Sequence, residues 1–295
     1  MASDRSDKVF EEGSWRSNDG LTLRYQDYPA RNDVPVGRPP ILCIPGLTRN
    51  ARDFEPVAER FAGDWRVICP DLRGRGASDY AKDTSTYTPL QYVEDIGLLV
   101  DHLGLTRVVA VGTSLGGIIT VLLAMQRPDL LAGAVINDIG PVIETDGLGR
   151  IQDYVGQGRS YPTWMHAARS LAEQSGTAYP DYAISDWLRF AKRLMCVGQS
   201  GRIVLDYDMK IAEPFQGQES PESVDLWSAF QALDGRPSLA VRGELSDILS
   251  ASTLAGMDRR LPDMEVVTVP RIGHAPTLEE PIAQDAIARL LARIA

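Results

Sequence analysis

The chain has 295 residues, of which 44% are hydrophobic and 24% charged, values that are ordinary for a soluble globular protein. Its formal net charge of -10 argues against a nucleic-acid partner, which needs a basic face, and against binding to an anionic membrane surface. The N-terminal residues lack the apolar core of a secretory signal, and three cysteines are too few for a disulfide framework. We therefore expect a cytoplasmic protein.

Short apolar runs alternate along the chain with amphipathic stretches. The runs have the pattern of strands and lie at 21–28, 41–44, 66–70, 107–111, 131–137, 238–242 and 264–269. The amphipathic stretches have the pattern of helices and lie at 53–61, 89–103, 115–127, 250–260 and 278–294. This alternation predicts an α/β fold, with a mostly parallel central sheet of about eight strands flanked by helices.

The alternation stops in the middle of the chain. Residues 141–225 have a helical and irregular pattern without a clear buried strand, so we expect them to form a helical cap inserted into a core made of 1–140 and 226–295. Trp164 and Trp187 lie in this segment, within otherwise polar sequence. Large apolar residues need burial, either inside the cap or over the site, so both are candidates for binding substrate.

Residues 108–126 carry no charge, and this uncharged stretch is long enough for a membrane span. Three glycines and two hydroxyl residues in its middle favour a different interpretation, a strand at 108–111, a tight turn and a buried helix from 115. The turn contains Gly112-x-Ser114-x-Gly116, the pattern of a nucleophile elbow. Side chains at the two glycines would collide with neighbouring backbone, and the helix N-terminus leaves the N–H of Leu115 free to hold an oxyanion.

A serine nucleophile needs a base, and the chain has three histidines. His102 lies at the end of a predicted helix and His166 lies in the predicted cap, where a surface position is the simpler interpretation. His274 follows the last strand in a glycine-containing loop, from which it can reach the carboxyl edge of the sheet, where ligands bind in open α/β sheets. His274 is therefore the predicted base.

Two aspartates follow successive strands and compete for the role of the acid that orients the histidine. Asp247 precedes the helix at 250–260, and the order Ser114, Asp247, His274 is the order expected of this fold, so Asp247 is favoured. Its alternative role is to cap that helix. Asp138, in the sequence "INDIGP", is the rival acid.

A second oxyanion donor should come from the loop after the strand at 41–44. That loop contains Gly46, which permits a tight backbone, and the N–H of Leu47 is the predicted donor. Arg49 follows two residues later and is a candidate for binding a substrate carboxylate. An exposed or cap-bridging Arg49 is the alternative.

Six motifs carry a resemblance to a known family. The sequences "IPGLT", "PDLRGRGASD", "GTSLGG", "NDIGP", "GELSDIL" and "GHAPTLEEP" are similar in order and spacing to those of the α/β-hydrolase superfamily, in its cap-bearing, esterase-like branch. The resemblance implies that Ser114, Asp247 and His274 form the catalytic triad and that Leu47 and Leu115 supply the oxyanion hole. Many members have a histidine where this chain has the proline before Gly46. This difference matters little, because the expected oxyanion donor is a backbone N–H.

The favoured function is a serine hydrolase that cleaves a carboxylic ester, thioester or lactone of a small apolar or aromatic substrate. The alternatives are a C–C bond hydrolase of a vinylogous diketone acid and a small-molecule receptor built on a hydrolase fold. The sequence shows no dinucleotide fingerprint, no phosphate-binding loop and no zinc spacing, so we expect no cofactor and no metal. It leaves the identity of the substrate and the oligomeric state open.

Overall fold

The computed structural model describes residues 9–31, 34–35, 37–215 and 226–294. Its main sheet contains eight strands in the order β1-β2-β4-β3-β5-β6-β10-β11. Their bounds are Glu11–Arg16 (β1), Thr22–Tyr28 (β2), Ile41–Ile44 (β3), Val67–Asp71 (β4), Val108–Thr113 (β5), Leu131–Asn137 (β6), Ser238–Gly243 (β10) and Met264–Val269 (β11). From β4 to β11 all neighbours are parallel, whereas β2 is antiparallel to both β1 and β4. The predicted α/β class and mostly parallel sheet are confirmed.

Helices cover both faces of this sheet. Those of the described residues are Glu55–Phe61 (α1), Pro89–His102 (α2), Leu115–Gln126 (α3), Thr145–Tyr154 (α4), Trp164–Ser175 (α5), Ile184–Leu194 (α6), Leu226–Phe230 (α7), Ala251–Arg260 (α8) and Pro281–Ala292 (α9). On one face α2, α3 and α8 bury Val93, Ile119 and Leu254 in a common core. On the other face α1 and α9 bury Val57 and Ile287. The sheet is therefore covered on both sides, which explains why its inner parallel strands are mostly apolar.

The uncharged stretch from Val108 to Gln126 consists of β5, the turn at Ser114 and the helix α3. Every residue of β5 is buried, because β5 is a central strand whose side chains enter the cores on both faces of the sheet. None of the helices in the described part of the chain is long and apolar enough to cross a bilayer.

The chain between β6 and β10 leaves the main sheet, and we call residues 141–215 the inserted segment. It contains α4, α5 and α6, and also a three-stranded antiparallel sheet that the sequence analysis did not predict. The strands of this small sheet are Ser160–Tyr161 (β7), Met195–Val197 (β8) and Ile203–Leu205 (β9). They are two or three residues long, too short to show a period of two. The predicted end of the cap at residue 225 lies outside the described residues.

Candidate active site

Ser114 lies on a sharp turn between β5 and α3. Its backbone has φ 52° and ψ -116°, a conformation that non-glycine residues rarely adopt. A Cβ atom on Gly116 would overlap the carbonyl oxygen of Ile44, and one on Gly112 would overlap the backbone of Gly116. Both glycines are thus required by close backbone approach, as the sequence pattern indicated.

A hydrogen-bonded chain of three side chains begins at this serine. The Nε2 atom of His274 lies 2.9 Å from Ser114 Oγ, and the Nδ1 atom lies 2.8 Å from Asp138 Oδ2. Ser114 and His274 are half-buried, whereas the Asp138 side chain has no exposed surface. The geometry allows His274 to take the Ser114 proton on Nε2 while the Asp138 carboxylate accepts a hydrogen bond from Nδ1.

Asp138 is held by hydrogen bonds to both of its carboxylate oxygens. The N–H of Gly243 donates to Oδ1 at 2.8 Å, and the hydroxyl of Ser246 donates to Oδ2 at 2.7 Å. The backbone of Asp138 has φ 56°, so the chain turns sharply directly after β6 and presents the carboxylate to the next strand. A buried carboxylate fixed at both oxygens cannot rotate away from His274.

Asp247, which the sequence favours as the acid that orients His274, does not contact the imidazole, whose Nδ1 lies against Asp138 instead. The Asp247 carboxylate forms a two-pronged ion pair with Arg150 of α4, with oxygen–nitrogen distances of 2.6 and 2.8 Å, and remains more than a third exposed. The hydrogen bond from Arg150 holds the pKa of Asp247 below its usual value, although burial acts in the opposite direction. In the same loop it is Ser246, the residue before Asp247, whose side chain contacts Asp138. The predicted capping alternative is wrong, because Ser250 caps α8.

The loop that carries His274 is fixed by contacts that the sequence analysis missed. The amide of Asn137, at the end of β6, donates to the carbonyl of Pro276 at 2.8 Å. From the inserted segment, the hydroxyl of Tyr179 donates to the carbonyl of Ala275 at 2.8 Å. Asn137 had a detectable signal, since a polar side chain ends an otherwise apolar strand, but nothing local in the sequence identifies Tyr179.

The two predicted oxyanion donors belong to two different loops next to Ser114. Leu115 is the first residue of α3, so its N–H has no partner within the helix. Leu47 lies in the loop after β3, and a Cβ placed on the adjacent Gly46 would be 3.7 Å from Ser114 Cβ. No hydrogen bond from either N–H is formed within the described residues. The two groups can therefore serve an oxygen bound next to Ser114.

Arg49 lies beside this loop and is fixed in place. Its Nε and Nη2 atoms donate to the two oxygens of Asp53 at 3.0 and 2.7 Å, and its guanidinium lies 4.6 Å from the ring centre of Phe190. Although burial opposes the charge, Asp53 raises the pKa of Arg49 above its usual value. Its Cγ would lie 3.4 Å from a Cβ on Gly46, which places the side chain next to the loop that contains Gly46 and Leu47.

The two predicted tryptophans lie in the inserted segment. Trp187 is 3% exposed and lies in an aromatic cluster with Tyr179, Tyr182 and Phe190, while Trp164 begins α5 and is half-buried. Their role toward a substrate stays a prediction. His102 and His166 are both exposed, as the simpler interpretation had it.

A parallel sheet with a serine elbow after its central strand, and a histidine after its last strand, is the architecture of one large enzyme family. The chain belongs to that family, described as the alpha/beta hydrolase fold, which its sequence matches over residues 39–281. It is therefore an enzyme, a hydrolase. Within the described residues no group of three or more histidines, cysteines or carboxylates is arranged to hold a metal ion.

The chain is similar over most of its length to named hydrolases. The chain is 36% identical over 256 residues to a 3-hydroxybutyrate-oligomer hydrolase of Cupriavidus necator, covering 84% of this chain and 86% of that protein. It is 30% identical over 243 residues to a 2-(acetamidomethylene)succinate hydrolase of Mesorhizobium japonicum, covering 80% and 81%. Among solved structures, an alpha/beta hydrolase from Novosphingobium aromaticivorans is 56% identical with a TM-score of 0.93, covering 98% of this chain and 100% of that one.

Proposed function

We propose that the protein is a serine hydrolase that cleaves a carboxylic ester, thioester or lactone through an acyl-enzyme on Ser114. The observation that carries this proposal is the continuous hydrogen-bonded chain from Ser114 through His274 to Asp138, with distances of 2.9 and 2.8 Å. Family membership supports it. Membership of the hydrolase family disfavours a receptor without catalytic activity.

In the proposed reaction Ser114 Oγ attacks the substrate carbonyl carbon while His274 Nε2 takes the hydroxyl proton. The carbonyl oxygen becomes an oxyanion, which accepts hydrogen bonds from the N–H groups of Leu47 and Leu115, each worth roughly 10²–10³ in rate. Asp138 stabilises the charged imidazole. When the carbon–oxygen or carbon–sulfur bond breaks, His274 returns the proton to the leaving group. Water then attacks the acyl-enzyme by the same route and releases the acid.

A covalent probe tests the nucleophile. A fluorophosphonate should label Ser114 in the wild type, and Ser114→Ala should fold normally while losing both labelling and hydrolysis of p-nitrophenyl acetate. Ser170→Ala is a suitable control, because Ser170 lies in α5 and contacts Tyr161 and Gln174 instead of the residues around Ser114. It should still be labelled. Labelling or turnover that survives in Ser114→Ala contradicts the proposal.

We further propose that the preferred substrate carries a free carboxylate, which Arg49 binds. Arg49 is held beside the oxyanion loop by Asp53 and Phe190, so little conformational entropy is lost when it binds an anion. The 36% identical relative supports this class, because an oligomer of 3-hydroxybutyrate joined head to tail is a chain of esters ending in a carboxylate. The proposed pocket is otherwise apolar, with Trp164 and Trp187 contributing to it from the inserted segment, which we propose is a cap.

A matched pair of substrates tests the role of Arg49. For a half-ester acid and its methyl ester, kcat/KM should favour the acid by about ten- to a hundredfold, because a charge-assisted hydrogen bond contributes about 1.5–3 kcal/mol. Arg49→Ala should remove that preference. Arg66→Ala is the matched control, because Arg66 forms a similar two-pronged pair with Asp27 on the antiparallel side of the sheet. If the preference is absent, or survives in Arg49→Ala, Arg49 does not bind substrate.

A second candidate reaction uses the same Ser114 on a more acidic, unsaturated substrate. The observation that favours it is the 30% identity to a 2-(acetamidomethylene)succinate hydrolase. Measuring kcat/KM for 2-(acetamidomethylene)succinate and for a dienone acid, beside the half-esters, distinguishes this reaction and C–C bond cleavage from ester hydrolysis. If kcat/KM for either compound is at least tenfold above that of the best half-ester, ester hydrolysis is not the main reaction of the enzyme.

A further inference from the structure

Arg75 is a fully buried arginine in the loop that follows β4. Its Nε donates to the carbonyl of Leu47 at 2.9 Å, and its Nη1 donates to the carbonyl of Arg73 at 2.6 Å and the hydroxyl of Tyr92 at 2.9 Å. The guanidinium lies 4.7 Å from the ring centre of Tyr92 and 5.7 Å from that of Tyr87. Neutral acceptors and aromatic faces thus surround the charge, and the Nη2 atom has no hydrogen-bond partner in the described residues.

The neighbouring Arg73 shows how unusual these contacts are. Arg73 is equally buried, but its guanidinium binds the carboxylates of Asp95 and Asp19, with the Nε to Asp95 distance at 2.6 Å. No carboxylate of the described residues forms an ion pair with Arg75. Burying a cation without a paired anion is costly. Stability alone therefore gives no reason for a cation at position 75.

The contact of Arg75 with Leu47 suggests another reason. Residues 46–49 form a turn in which the N–H of Arg49 donates to the carbonyl of Gly46 at 3.2 Å. The carbonyl of Gly46 and the N–H of Leu47 belong to one planar peptide and point in opposite directions. The turn therefore orients the N–H of Leu47, while Arg75 Nε fixes the next peptide from outside the turn.

We propose that Arg75 is a positioning residue for the oxyanion hole. It holds the carbonyl of Leu47, which keeps the N–H of the same residue directed at the oxygen that becomes negative in the transition state. This inference rests on the proposed function, in which Leu47 is an oxyanion donor. A charged donor suits the task, because its hydrogen bonds are stronger than those of a neutral donor. The planar fork of arginine also reaches several acceptors at fixed angles, which an ammonium group cannot do.

The test compares Arg75→Lys and Arg75→Met with Arg73→Lys at equal folded fraction, set from urea unfolding curves. Loss of one oxyanion donor costs roughly 10²–10³ in rate, so partial misplacement should lower kcat by about 10- to 100-fold in both Arg75 variants. KM should change less than threefold. Arg73→Lys should unfold at lower urea concentration but keep kcat within about twofold, because its partners lie outside the oxyanion loop.

A second readout distinguishes positioning from general loss of structure. A trifluoromethyl ketone forms a tetrahedral adduct with the serine and places an oxyanion in the hole, whereas a non-reactive ester analogue does not. Affinity for the ketone should fall in parallel with kcat in the Arg75 variants, while affinity for the analogue should stay within threefold. If Arg75→Lys folds and keeps kcat and ketone affinity within twofold, or if Arg73→Lys loses as much of both, the inference is overturned.

Tyr92→Phe decides the question if neither Arg75 variant folds. It leaves Arg75 in place and removes the hydroxyl that accepts from Nη1. Loss of one net hydrogen bond should lower kcat and ketone affinity by about two- to tenfold, and unchanged values overturn the inference. Failure of the proposed function looks different. In that case Ser114→Ala retains the hydrolysis of the wild type, whereas failure of this inference leaves a Ser114-dependent enzyme that is indifferent to Arg75.

Discussion

The carboxylate of Asp138 accepts hydrogen bonds from a backbone N–H, a serine hydroxyl and the imidazole of His274. None of its surface is exposed to water. A carboxylate in this position fixes the tautomer of His274, because only Nδ1–H can donate to it, and leaves Nε2 free to accept the proton of Ser114. Asp247 is paired with Arg150 instead.

Exchanging each aspartate for asparagine should therefore give very different enzymes. Asp138→Asn should lower kcat by about 10⁴, because an amide at this position can hold the wrong histidine tautomer. Asp247→Asn leaves His274 in place and should change kcat by less than about threefold, since an exposed ion pair contributes little. Steady-state kinetics with p-nitrophenyl acetate measures both effects. The opposite ranking would mean that Asp247 orients His274 in solution.

The contrast between Ser114 and Asp247 shows which parts of the site could be predicted from the sequence. Ser114 was predictable because the two glycines around it are required within five residues of chain. The acid was not, because two aspartates follow neighbouring strands and the choice depends on where each side chain points. Asp138 is directed by its own left-handed backbone, and Asp247 is held by Arg150, which lies 97 residues away in the sequence.

Among the strands, β4 has a special role because its last residue joins two loops near the site. Asp71 accepts hydrogen bonds from the N–H of Ala51 at 2.7 Å and from the N–H of Ala77 at 2.9 Å. Burial raises the pKa of Asp71 to about 6, and the two hydrogen bonds only partly oppose this. The folded protein thus binds a proton at Asp71 that the unfolded chain, with an ordinary pKa near 4, has already released.

This shift gives a definite sign to the pH dependence of stability. Between pH 5 and pH 7 the folded state loses the Asp71 proton while the unfolded state has none to lose, so this group lowers the free energy of unfolding by about 1 kcal/mol. Asp71→Asn cannot titrate. The stability of the wild type relative to Asp71→Asn should therefore fall by that amount from pH 5 to pH 7, as measured by urea unfolding.

An exposed aspartate provides the control for this measurement. Asp101 pairs with Arg127, which holds the pKa of Asp101 below its usual value, so it is ionised in both states above pH 5. The difference between wild type and Asp101→Asn should be flat from pH 5 to pH 7. An equally flat difference for Asp71→Asn would show that Asp71 has an ordinary pKa in the folded protein.

Elements were predictable from the sequence where burial imposes a long regular pattern. Helix α2 was expected at 89–103 and observed as Pro89–His102, because Thr88 caps it and apolar positions recur on one face. Strand β1 was not predicted. It is an edge strand in which only Trp15 is fully buried, so its sequence has no apolar periodicity. The strands of the small sheet in the inserted segment were missed for another reason, because they are only two or three residues long.

At the scale of the whole molecule, the inserted segment is attached to the rest of the chain by ion pairs of two kinds. Arg193 of α6 is buried and donates to Glu279, close to the start of α9, at 2.9 Å. The backbone carbonyl of Arg193 accepts a hydrogen bond from the side chain of Asn50 at 3.0 Å. Arg271 binds Asp181 of the inserted segment, at two distances of 2.6 Å, with both side chains more than half exposed. Arg193 thus makes a single, partly buried hydrogen bond to Glu279, whereas Arg271 and Asp181 form an exposed two-pronged pair.

Burial should decide which of these contacts stabilises the fold. Arg193→Met leaves Glu279 partly buried without its cation, so it should lower the free energy of unfolding by about 2–3 kcal/mol. Arg271→Met removes an exposed pair that is screened by water, so the loss should stay below about 1 kcal/mol. Urea unfolding at pH 7 compares the two variants directly. Equal losses would show that the inserted segment is not anchored through Arg193.

The same comparison has a predicted pH dependence. Burial acts to raise the pKa of Glu279, but the charge of Arg193 outweighs it and the pKa lies below its usual value. The stability gained from this pair is therefore present above the pKa of the unfolded chain and is lost as the pH falls through the folded pKa. The difference between wild type and Arg193→Met should shrink when unfolding is measured at pH 4 instead of pH 7. A difference that stays constant or grows at pH 4 would mean that packing of the arginine stem, and not its charge, holds the inserted segment to the sheet.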